Sequence, residues 1–145
     1  MTGACFFDAQ YENANTLDMQ QGLILFHGFQ GKQPNLNDNQ PLWVSINEKE
    51  ADVYSRQGNE IGCGGVLTLT LKADHHALLG CPNGFQYLKS IDSVHHTVFA
   101  KDLHNWATKK GLRFVKENYD CFISFCASTD LNIVGVNEWS NKGGQ

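Results

Sequence analysis

The clearest periodic signal in the chain is Val66-Leu67-Thr68-Leu69-Thr70-Leu71, where three leucines alternate with valine and threonines. Period-two alternation puts the leucines on one face of a strand and the β-branched residues on the other. Leu23 to Phe26 is a short apolar run and reads as a buried strand that ends at His27-Gly28. Gly31 to Pro41, GKQPNLNDNQP, is dense in Asn, Gly and Pro and predicts a loop. Leu42 to Ile46 is a further strand. Asn47 then suits a helix N-cap, with Glu48 and Glu50 in a first turn that favours acids. That helix runs through Ala51 to about Arg56 and ends at Gly58. Ala73 to Ser93 shows no period, and Pro82-Asn83-Gly84 marks a turn within it. Phe99, Leu103, Trp106 and Ala107 share one helical face between Phe99 and Lys110, and Gly111 supplies the stop. Two strands close the chain, Tyr119 to Cys126 and Leu131 to Val136.

Strands outnumber helices, and strand–helix–strand alternation is missing. The pattern therefore predicts an α+β fold of antiparallel sheets with a few short helices. Neither a repeat nor a low-complexity linker divides the sequence, so residues 1–145 read as one domain.

Composition changes this picture little. A hydrophobic share of 41% is enough for a core without metal or disulfide support. The net charge of −4 offers no general field for nucleic acid or for an anionic membrane. Five cysteines, an odd number without a CxxC pair, argue for reduced thiols and a cytoplasmic setting. The first residues, MTGACFFDAQYENAN, lack the basic start and apolar run of a signal peptide, which leaves signal-free secretion open. No segment approaches the roughly 20 apolar residues of a membrane span.

Three chemistries can be asked of the His27-Gly28 pair. A serine hydrolase needs a strained nucleophile elbow, and no GxSxG occurs. Cys63, flanked by Gly62 and Gly64, could serve a thiol enzyme, but no base is assigned to it. The doublets His75-His76 and His95-His96, with Asp74, could gather a metal. Adjacent residues on a strand point to opposite faces, so each doublet offers one ligand at most to a given site. No metal site is assigned.

The third chemistry rests on an ordered set of motifs. A strand ending Phe26-His27-Gly28 precedes the strand Leu42-Trp43-Val44-Ser45 and then the helix segment Ala51-Asp52-Val53-Tyr54. This order resembles the ADP-ribosyltransferase fold of the diphtheria-toxin and poly(ADP-ribose) polymerase kind. It covers Leu23 to Leu71 well and the C-terminal strands loosely. Trp43 and Tyr54 stand eleven residues apart, the family's spacing for bracketing the nicotinamide ring. The resemblance implies an NAD-dependent mono-ADP-ribosyltransferase, with NAD as substrate and a protein or small molecule as acceptor. It assigns His27 to a ribose hydroxyl, Gly28 to the carboxamide, and Trp43 and Tyr54 to stacking, with Ser45 in support.

The family's late-strand glutamate is where the sequence departs from the pattern. Asn132 occupies its position in the strand beginning at Leu131. Asp130 lies just upstream, and Glu138 lies beyond the expected strand end. Asp74 follows the Val66–Leu71 strand, as the acid does in rifampin ADP-ribosyltransferases. Asp74 and Asp130 stand level as substitutes, ahead of Glu138. The missing glutamate keeps a non-catalytic NAD-binding or interaction module as the alternative, with a metal- or thiol-dependent hydrolase behind it.

Overall fold

The computed structural model describes residues 3–117 and 120–141. Its order is α1 (Gly3–Gln10), β1 (Thr16–Met19), β2 (Ile24–Gln30), β3 (Leu42–Ser45), α2 (Glu48–Arg56), β4 (Cys63–Leu71) and β5 (His75–Leu79). There follow α3 (Gly84–Ser90), α4 (His96–Lys109), β6 (Phe114–Lys116), β7 (Cys121–Ser124), α5 (Ala127–Asp130) and β8 (Leu131–Ser140). The eight strands form one sheet in the order β1-β5-β6-β7-β3-β2-β4-β8. Among the described residues, only the β5–β6 pair is parallel. The fold is α+β, as the pattern predicts.

Met19 of β1 and Leu131 of β8 belong to opposite sheet edges yet share one buried cluster with Leu25, Phe29, Leu67, Leu69, Leu71, Phe114 and Phe122. The sheet therefore curls around that cluster. Its outer face is covered in two parts. Helices α1, α3 and α4 bury Phe7, Tyr87, Leu103 and Trp106 against Val115 of β6 and Ile123 of β7. Helix α2 covers β2 and β4, where Gly28 and Gly64 leave room for its backbone.

The local signals act as expected at several points. Asn47 caps α2, its side chain accepting from Lys49 N–H at 3.0 Å. Gly111 takes a φ of 73° just beyond α4, a conformation that favours glycine. Other boundaries differ. β2 does not end at His27-Gly28 but runs on to Gln30, because Phe29 reaches the inner cluster and β4 pairs the whole segment. β4 begins at Cys63 and β8 extends to Ser140, so Glu138 sits inside a strand and not beyond its end. Ala73 to Ser93 holds β5 and α3; Asn83, at φ 48°, is the N-cap of α3, so the expected turn is a helix start. Of the expected strand Tyr119 to Cys126, β7 keeps Cys121–Ser124, and Tyr119 lies outside the described residues. No helix among the described residues is long and apolar enough to cross a membrane.

Candidate functional site

β2 pairs with β4 along its whole length, from Ile24↔Thr70 to Gln30↔Gly64. Its pairing with β3 is limited to Phe26↔Ser45. The two strands splay beyond that point, and the opening is what makes the site. Leu71 N–H donates to Leu23 C=O at 3.0 Å, and Gly31 N–H donates to Cys63 C=O at 2.8 Å. Odd-numbered positions of β2 thus bond to β4, and antiparallel alternation turns the N–H and C=O of Phe26, Gly28 and Gln30 toward the β3 side. Beyond Phe26 no β3 residue stands in register to receive them.

A cleft of about 370 Å³ fills this opening on the outer face. It is lined by Phe26, His27, Gly28, Gln30, Trp43, Ser45, Ala51, Tyr54 and Cys121, among others. All five residues that the sequence nominates for cofactor contact, His27, Gly28, Trp43, Ser45 and Tyr54, therefore meet in one place. Gly28 is held to glycine by α2, since a Cβ there would stand 1.9 Å from Ala51 O. Trp43 is 37% exposed and Tyr54 59%, which suits cleft walls and not core packing. Gln30 Nε2 donates to the Tyr54 and Gln57 carbonyls at 3.1 and 2.8 Å, tying the end of α2 to β2. Ser45 is buried and its Oγ accepts from Asn47 N–H at 3.0 Å, which leaves the hydroxyl proton to donate.

The His27 ring bridges the splayed strands. Its Nδ1 lies 2.7 Å from Trp43 O, and a carbonyl can only accept, so Nδ1 carries the proton. Nε2 of the neutral ring is then an acceptor. Burial holds the imidazole below its ordinary pKa of 6.5, partly offset by the Trp43 carbonyl. A second cavity, of about 210 Å³, shares His27 and Trp43 with the first and lies under the loop bearing Pro34, Asn35, Asn37 and Gln40.

The acids nominated from sequence are placed elsewhere. Asp74 accepts from Gln21 N–H at 2.7 Å beyond the far end of β4. Asp130 is buried and takes two hydrogen bonds from Arg113, at 2.9 and 2.8 Å. Asn132 and Glu138 lie on β8, opposite Thr70 and Gly65, and both are exposed. None of the four lines the cleft. Asp130 has a structural partner that the sequence did not reveal.

Different carboxylates approach instead. Ser45 pairs with Cys121, and Glu117 N–H donates to Cys121 C=O at 2.9 Å, so Ser45, Cys121 and Glu117 form one row on the outer face. Glu50, one turn before Tyr54 on α2, contacts the Cys121 thiol. Burial and that carboxylate push the Cys121 thiol up to about 12, which makes it a poor nucleophile. Burial also raises Glu117, against hydrogen bonds from Cys81 and the Trp43 side chain. Glu50 and Glu117 both act electrostatically on Tyr54, and Asp120 acts on Cys121. Sequence reading missed these acids because their proximity comes from the β3–β7 pairing. The one local signal was Glu50 and Tyr54 at i, i+4 on a single helix.

The histidine doublets stay apart. His75 Nε2 lies 3.5 Å from Asp130, His76 pairs with exposed Asp18, and His95-His96 open α4 beside a surface hollow. No group of three His, Cys, Asp or Glu among the described residues could hold a metal. Cys63 starts β4 opposite Ser140.

The fold and site thus define an α+β protein whose aromatic-lined cleft lies between two splayed strands. Comparison of the sequence with protein-family models gives no match, and comparison with curated proteins gives none at a significant level.

Proposed function

We propose that the protein is an NAD-dependent mono-ADP-ribosyltransferase that binds the nicotinamide half of NAD in the β2–β3 cleft. The observation that carries this reading is the single-residue pairing of β2 with β3, which turns the Gly28 N–H and C=O into a cleft walled by Trp43 and Tyr54. A carboxamide needs one donor and one acceptor side by side, and a strand edge supplies both. The Ser45 hydroxyl adds a donor for the carboxamide oxygen. His27 Nε2 accepts from a ribose hydroxyl, and the two aromatic faces exclude water from the ring.

In the reaction the bond between the ring nitrogen and ribose C1′ breaks with its electron pair passing to the ring. Nicotinamide leaves neutral, and the ribose becomes oxocarbenium-like until an acceptor nucleophile attacks C1′. Carboxylates near the cleft stabilise that developing charge, and Glu50, Glu117 and Asp120 are the candidates. A protein or small-molecule acceptor suits the acidic chain better than nucleic acid.

One observation favours a second reading, an NAD-binding module without turnover. The acids nominated from sequence all lie outside the cleft lining. Incubation with NAD labelled in the adenylate half separates the two. Nicotinamide release with label transfer is the expected outcome; binding without release supports the module. No release and no NAD-dependent thermal shift at millimolar NAD would remove both.

A further inference from the structure

We propose that the hollow between α3 and the start of α4 is a dimer surface, which pairs with the same hollow of a second copy of this chain. The proposal goes beyond the transferase reading, since this hollow and the β2–β3 cleft share no lining residue. It starts from two apolar side chains that the fold leaves outside. Phe85 is 78% exposed and Val94 82%, the highest values among the large apolar residues described. Both line one hollow of about 510 Å³, with buried Leu88 in its wall.

Local structure gives neither residue a reason to be apolar. α3 turns Gly84, Tyr87, Leu88 and Ile91 toward the core, the i, i+3, i+4, i+7 stripe of a buried helix face. Phe85 falls off that stripe. Val94 precedes His95, the N-cap of α4, a position where an apolar residue often folds back onto the first turns, here toward Phe99. At 82% exposed it makes little of that contact. Exposed apolar side chains gathered at one hollow mark an interaction surface.

Charge points to a second copy as the occupant. Lys89 stands four residues after Phe85 on the same side of α3, Asp92 follows, and both line the hollow. Neither is ion-paired among the described residues. A two-fold contact sets residue i of one copy against j of the other and j against i. A patch holding one lysine and one aspartate therefore sets Lys89 against Asp92 of the second copy, twice. The whole chain carries a net charge of −4, so copies repel except where a patch is balanced in this way. A cavity of about 150 Å³ already admits a benzene ring, so the hollow has room for the Phe85 ring of the facing copy. Its eight lining residues make a small patch, and the dimer is accordingly reversible, forming in the micromolar range.

Sedimentation equilibrium of the whole chain from micromolar to millimolar concentration tests this, at slightly alkaline pH where imidazoles are neutral. The wild-type mass should rise with concentration from that of one chain toward that of two. Phe85→Asp should weaken association by at least about thirty-fold. Lys89→Asp and Asp92→Lys each set like charges against one another and should weaken it by about ten-fold. Combining the two reversals restores opposite charges and should return association to within about three-fold of the wild type. All three side chains are exposed, so far-UV circular dichroism should be unchanged in every variant. A wild-type mass that stays at one chain throughout overturns the proposal, whatever other protein the hollow then accepts. That result needs no variant, so it decides even if a substitution unfolds the chain. A dimer that survives Phe85→Asp or ignores the single charge reversals overturns it too, as does a double reversal no tighter than the single ones.

Discussion

At the scale of single residues the account rests on His27 first. Its neutral ring donates through Nδ1 to Trp43 O and keeps Nε2 as an acceptor. His27→Ala should lower kcat/KM for NAD by about a hundred-fold, combining one lost hydrogen bond with a misplaced ribose. Far-UV circular dichroism should stay unchanged. Protonation converts Nε2 into a donor, so NAD binding should weaken as pH falls through the lowered His27 pKa, below 6.5. The same shift bears on stability. In that window the unfolded chain binds more protons at this site than the folded one, so stability is full above 6.5 and falls as pH drops. His27→Gln cannot titrate, and its NAD affinity should be flat across the same range. A wild-type affinity that is also flat there would contradict the assigned role.

The ring walls make a second residue-scale prediction. Trp43→Ala and Tyr54→Ala should each weaken NAD binding by about 0.5–1.5 kcal/mol beyond lost contact area. Both variants should melt close to the wild type, because neither side chain is core. Asp130 should behave in the opposite way. Asp130→Ala strands the Arg113 guanidinium and should cost about 2 kcal/mol of stability, while NAD affinity per folded molecule stays constant. Unchanged melting in Asp130→Ala would show that the Arg113 pair is not structural. His27, Gly28, Trp43, Ser45 and Tyr54 were legible because their motifs are local and ordered along the chain. The acids were not, because nothing local in the sequence says that Glu117 shares a row with Ser45.

At the scale of elements, chemistry written in short segments was readable and pairing was not. The alternation of Val66 to Leu71 and the Asn47 cap each carry their own physical signal, and both appear where that signal puts them. β1, β5 and β6 run four, five and three residues, too short to show a period. They exist because neighbouring strands complete their hydrogen bonds. β2 outlasts its expected end for the same reason. Gly28→Ala tests the link between α2 and the site, since its methyl would overlap Ala51 O. The helix must shift, which should cost on the order of 1–3 kcal/mol and abolish NAD binding together. Asn47→Ala removes only the cap of α2 and should cost about 1 kcal/mol, with NAD affinity kept per folded molecule. Loss of binding in a folded Asn47→Ala protein would mean that the cleft depends on the helix start more than its geometry suggests.

At the scale of the whole molecule, the curl of one eight-stranded sheet and the two coverings of its outer face place the cleft. One covering is α2 over β2 and β4, the other is the α1–α3–α4 group over β6 and β7, and β3, splayed from β2, lies between them. No part of the sequence announces that gap, because it is an absence of pairing between strands that are each well formed. The central claim is that Gly28 presents its backbone to the carboxamide of NAD in this gap. Backbone amide resonances followed while NAD is added test it most directly. The account predicts saturable shifts at the Gly28 amide and the Trp43 indole N–H, with Asp74 and Asn132 unmoved. Saturable NAD binding that leaves Gly28 and Trp43 in place, and shifts another surface instead, would contradict it.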